Sequence, residues 1–80
     1  MDPAQSRLLH LQYESLTGPR FVEIVPIKQM GRVRWHVSAN DDALEMAGSF
    51  FDEPDAAKAA VEARLRKRYG DAVALSWRSA

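Results

Sequence analysis

Eight residues, Arg32-Val33-Arg34-Trp35-His36-Val37-Ser38-Ala39, alternate apolar and polar without an error. Successive side chains on a strand point to opposite faces, so this run writes one dry face and one wet face. Val33, Trp35, Val37 and Ala39 point inward; Arg32, Arg34, His36 and Ser38 point outward. A strand patterned this way needs neighbours to pair with and a layer to cover its dry side.

The neighbours are written on either side. Over residues 8–16, Leu9, Leu11 and Tyr13 share one parity against His10, Gln12 and Glu14, again the period of a half-buried strand. Thr17-Gly18-Pro19 reads as a turn. A second strand is expected over residues 20–27, with Phe21, Val25 and Ile27 on one face and Val22 and Ile24 on the other. Pro26 cannot donate to a ladder, so it implies an edge, a bulge or a strand end. Residues 28–31 form a hairpin-like connection. After strand three, Asn40-Asp41-Asp42 has turn chemistry. A fourth strand is expected over residues 44–51, with Gly48 marking a bulge or a close backbone approach.

The period then changes. Asp52-Glu53-Pro54-Asp55 is a helix start, with a capping side chain, proline in the first turn and acids at the positive end of the dipole. Residues 55–69 are alanine-rich, and Ala57, Ala60, Val61, Ala63, Leu65 and Tyr69 include a stripe at three- and four-residue spacing. Gly70 stops the helix. Val73, Leu75 and Trp77 then alternate with Ala74, Ser76 and Arg78 as a last strand. The expected fold is α+β, a mainly antiparallel four- to five-stranded sheet in the order β-β-β-β-α-β with one helix packed on one face. The last strand could lie parallel to a neighbour through a right-handed crossover. The first six residues read as a flexible tail and residues 7–80 as a single domain.

Composition narrows function more than it identifies it. The chain has 80 residues, eleven basic and eleven acidic, and no cysteine. Disulfides, thiol catalysis and cysteine-ligated metals are excluded. Zero formal charge argues against strong nonspecific attraction to nucleic acid or anionic lipid. No apolar run is long enough to span a bilayer, and the opening residues lack the basic and apolar regions of a secretory leader, so a cytoplasmic location is expected.

Catalytic chemistry has little to use. The four glycines stand alone, so no phosphate-binding loop is written, and no serine sits in a nucleophile elbow. His10 and His36 fall on the polar parity of their strands, without the helical pair or nearby acid of a metal site. Asp41, Asp42 and Glu45 lack the glycine and terminal glutamate of a calcium loop. The chain is expected to be non-enzymatic, with no cofactor, no metal, no small-molecule substrate and no membrane partner.

Two basic groups remain. Arg32, Arg34 and His36 make a row on the outer face of strand three, which as part of a sheet could enter a major groove. Arg64, Arg66, Lys67 and Arg68 crowd the end of the helix, where cations suit the dipole. As a nucleic-acid site the candidates are Arg32, Arg34, His36, Arg64, Lys67 and Arg68. Against that stands an apolar surplus. Strand two is greasy on both faces, Phe50 and Phe51 cannot point the same way, and one helix covers only one face. The first reading is therefore an interaction module whose sheet surface binds a protein partner or a second copy, a homodimer. Nucleic acid is the alternative.

The stretch Arg34-Trp35-His36-Val37-Ser38-Ala39-Asn40, then Leu44, then Ser49-Phe50-Phe51, then Asp55-Ala56-Ala57-Lys58-Ala59-Ala60-Val61 resembles the short repeat unit of the YegP-like family, over about residues 31–65. The resemblance implies a strand–strand–helix packing unit in a family of unsettled function, and it carries over no catalytic or binding residue. Three strands followed by a helix, with Arg32 and Arg34, also looks like the arm-type DNA-binding domain of tyrosine integrases, which implies a sheet that reads the major groove.

Overall fold

A computed structural model describes residues 8–71 and 75–79. The N-terminal tail, and Val73 and Ala74 of the last strand, lie outside the described residues. The elements are β1 (Leu9–Ser15), β2 (Gly18–Gln29), β3 (Arg32–Ala39), β4 (Phe50–Phe51), α1 (Pro54–Tyr69) and β5 (Trp77–Ser79). They form one antiparallel sheet in the order β4-β3-β2-β1-β5 with one helix, the expected α+β fold.

The register follows the apolar parity. Leu11 pairs with Val22, Leu9 with Ile24, Ile24 with Val37, Val22 with Ala39, and Trp35 with Phe51. Slipping any pair by one residue would turn its dry side to water, which holds the register in place. Leu11, Tyr13, Val22, Ile24, Trp35 and Val37 are buried beneath Ala57, Val61 and Leu65 of α1. Those helix positions are four apart, the spacing that keeps side chains on one face. Val33 shares this parity but is 46% exposed, because the packed layer does not extend over the β2–β3 turn. The expectation that it points into the core fails there.

Both hairpins are tighter than the expected connections. β1 and β2 pair up to Ser15–Gly18, and β2 and β3 up to Gln29–Arg32, so each loop is two residues long. Met30 (φ 50°) and Gly31 (φ 80°) both adopt positive φ, the signature of the hairpin turn that matches strand twist. Pro26 lies well inside β2, opposite Trp35. It is tolerated because β1 pairs no further than Leu9–Ile24, so among the described residues only β3 flanks it.

The long fourth strand expected over residues 44–51 is not formed. Asp42–Leu44 is a 3-10 turn, Glu45 takes φ 57°, and only Phe50–Phe51 is strand. The segment is held down by its apolar side chains, since Leu44 is fully buried and Met46 nearly so. Gly48 supplies φ 90° and donates its N–H to Val37 O at 2.9 Å, while Val37 N donates to Ser49 O at 2.8 Å. It serves as a conformational hinge and not as a close approach, for a Cβ there would meet nothing within 4 Å.

The helix starts with Pro54 at its first turn, as its chemistry asks, but without a side-chain cap. Glu53 holds the N-cap position and its carboxylate makes no capping bond. At the other end Gly70 N–H donates to Arg66 O at 2.8 Å. α1 carries the chain from β4, at one sheet edge, to β5 at the opposite edge. β4 runs against β3, and the helix returns the chain to the end from which β4 set out. β5 therefore runs parallel to β4 at the far edge but against its neighbour β1, so the expected parallel pairing with a neighbour does not form. Trp77 Nε1 donates to Glu62 Oε2 at 2.8 Å, tying β5 to the helix above it.

Candidate functional site on the open face of the sheet

With α1 over one face, the opposite parity of every strand makes the second face. β1 contributes His10, Gln12 and Glu14; β2 contributes Phe21, Glu23, Val25 and Ile27; β3 contributes Arg32, Arg34, His36 and Ser38; β4 contributes Phe50 and β5 Arg78. Phe21, Val25 and Ile27 are half-buried by their neighbours and Phe50 is 37% exposed. The consecutive phenylalanines do part company, with Phe51 packed against the core and Phe50 on this face.

The apolar groups are interleaved with rings and charges. His10 stacks on Phe21 with centroids 5.7 Å apart, and its Nδ1 lies 3.3 Å from Glu23 Oε2. His36 packs against Phe50 at 4.8 Å, and the Arg34 guanidinium lies 5.4 Å from the same ring. Arg32 donates to Asp52 Oδ1 at 3.3 Å. Arg34 Nε also sits 3.3 Å from that oxygen, an ion pair without hydrogen-bond alignment. The two arginines thus share a carboxylate from the run that starts the helix. Pairs this exposed are worth about 0.2–1 kcal/mol each.

The six basic candidates do not converge. Arg32, Arg34 and His36 lie on the open face, whereas Arg64, Lys67 and Arg68 belong to the helix across the sheet. Lys67 and Arg68 are exposed, and the Arg68 guanidinium lies 5.7 Å from the Tyr69 ring. Arg66 pairs with Glu62 one turn back at 3.7 Å. His10 and His36 are separated by β2, about two strand spacings or ~10 Å. Among the described residues no three His, Asp or Glu side chains gather as a metal site would.

One acid of the Asn40-Asp41-Asp42 turn is buried. Asp41 is 8% exposed, and its Oδ2 accepts a hydrogen bond from Tyr13 Oη at 2.7 Å and another from Tyr69 Oη. The phenol rings tilt against each other at 5.8 Å. Burial, then the bond to Asp41, pushes the Tyr13 phenol well above its ordinary value. The bond to Asp41, then burial, raises Tyr69. The signal available in the sequence was Tyr13 itself, since a phenol on the inward parity of a strand needs a polar partner. This cluster binds the β1–β2 end of the sheet to the end of α1, and it splits Asp41 from the exposed Asp42 and Glu45.

Among the described residues no helix is long and apolar enough to cross a membrane. No protein-family model, no curated protein and no solved structure matches this chain.

Proposed function

We propose that this chain is a non-enzymatic interaction module that binds protein through the open face of its sheet. The observation that carries the reading is the apolar group Phe21, Val25, Ile27 and Phe50, broken on β2 by Glu23, on a face that no element of the described chain covers. Aromatic rings with arginines beside them and polar groups around them are the composition of a protein interface core and rim. The helix side supports the non-enzymatic part: its buried acid is engaged by the hydroxyl groups of Tyr13 and Tyr69.

The alternative, a nucleic-acid face, draws on Arg32 and Arg34 at strand spacing. It is weakened by Asp52, which holds both guanidinium groups, and by Glu14 and Glu23 on the same face. Phosphates would have to displace one carboxylate and approach two more.

A photo-crosslinking phenylalanine at position 25, compared with one at position 67 on the outer helix surface, tests both readings in cells that make the chain. Protein adducts at position 25 and not at 67 are expected. Nucleic-acid adducts at position 25 would favour the alternative. Equal or absent adducts at the two positions would overturn the interaction face.

A further inference from the structure

The open face also says which protein it fits, an inference that rests on the interaction-module reading. We propose that the occupant is a second copy of this chain, stacked face to face about a two-fold axis that crosses the strands near Val25.

The argument begins with shape. A sheet face is matched by another sheet about 10 Å away, with strands roughly aligned. A two-fold stack needs a surface complementary to itself. Glu14 and Glu23 lie toward the β1–β2 turn, with Arg78 in Glu23's row at the β5 edge, whereas Arg32 and Arg34 lie toward the β2–β3 turn around the single carboxylate of Asp52. An axis across the strands exchanges the two ends. It sets the arginine end of each copy over the acidic end of the other. β3 then lies over β3, Arg34 comes opposite Ser38 of the second copy, and Glu23 of that copy is one strand away, within an arginine's reach. Val25 and Phe50 share the axial row and each meets its own counterpart, while Ile27 comes opposite Glu23 and Phe21 opposite Gln29 of the second copy.

Size agrees with this. The long strands and their short edges offer a face of about 25 by 20 Å, or about 500 Å² per copy. Two copies bury about 1,000 Å² in total, near the lower bound of a specific interface. Such a dimer forms at micromolar to millimolar concentration. A nucleic-acid duplex offers no cation for Glu14 and Glu23, whereas a second copy offers one at each end.

Sedimentation equilibrium of the full chain, from about 10 μM to about 1 mM, reads the association. A monomer–dimer equilibrium is expected, and Val25→Glu should raise its dissociation constant at least about tenfold. Far-ultraviolet circular dichroism checks that each variant folds. A second measurement does not depend on Val25. Arg34→Glu alone and Glu23→Arg alone should each weaken self-association, because each sets like charges face to face. Mixing the two variants should restore a dimer, since the acidic end of one then meets the basic end of the other. A strict monomer at about 1 mM overturns the second copy. So does association that neither Val25→Glu nor the single charge reversals diminish. Foreign-protein adducts at position 25 alongside a strict monomer would leave the interaction module standing with a different occupant. Absence of both would remove the module itself.

Discussion

Replacing Tyr13 with phenylalanine removes one oxygen from the buried cluster and little else. Tyr13 is 4% exposed, and its hydroxyl donates to a carboxylate that is itself 8% exposed. Hydrogen bonds to charged groups contribute about 1.5–3 kcal/mol, and the loss is fullest where water cannot replace the donor. In a domain of this size that amounts to a fall in Tm of roughly 6–24 °C. The same bond carries a pH signature. The folded-state pKa of both tyrosines lies above the unfolded value near 10, so the folded chain holds protons that the unfolded chain releases. Their contribution is complete below pH ~10 and is lost as pH rises beyond it, with a limiting slope of about 1.4 kcal/mol per pH unit for each proton retained. Tyr13→Phe should remove one proton's share of that alkaline slope and leave the share due to Tyr69. Urea unfolding between about pH 7 and 11, followed by circular dichroism, measures both quantities. A loss under about 0.5 kcal/mol at neutral pH, or an unchanged alkaline slope, would refute the assignment of the cluster as a buried stabilising clamp.

Met30→Asn should stabilise the chain by about 0.5–1 kcal/mol, because asparagine tolerates positive φ ahead of Gly31 better than methionine does and little packing is lost at a fully exposed side chain. Thermal melts of the two proteins check this, and a lower Tm would contradict the turn geometry. Trp77→Phe keeps a ring against the core but deletes the bond to Glu62, at a cost of about 1 kcal/mol. Amide hydrogen exchange should then show faster opening of β5, while amides in the middle of β2 lose no more protection than the fall in global stability accounts for.

What could be read in the chain beforehand was whatever depends on neighbours in sequence. The strict alternation of residues 32–39 and the parity of Leu9, Leu11 and Tyr13 became the paired strands β3 and β1. The alanine-rich segment became the covering helix, and the two phenylalanines split between the faces. What could not be read depends on partners far along the chain. Asp52 reads as one acid of the helix-start run until two arginines on β3 claim it. Asp41 resembles a turn residue until Tyr13 and Tyr69 close over it from both sides. Residues 44–49 carry enough apolar groups for a strand, yet positive φ at Glu45 and Gly48 turns them into a loop pinned by Leu44 and Met46. The open face was half legible. Its arginine row showed in the alternation, but the interposition of β2 between the two histidines, and the meeting of Phe50 with His36, needed the strand order.

That strand order also ranks the sheet by time. β1, β2 and β3 are joined through two-residue turns, so their ladders close by short local steps. β5 must find β1 from the far end of the chain, where Trp77 meets Leu11. Closing so long a loop costs about 3 kcal/mol more in chain entropy than closing a hairpin, and a three-residue strand gains little to offset it until α1 is docked. A meander that forms early, a helix that seals it, and a last strand that joins only afterwards is the sequence of events this connectivity favours. The edge held by β5 is then the first part of the sheet to open when the domain breathes.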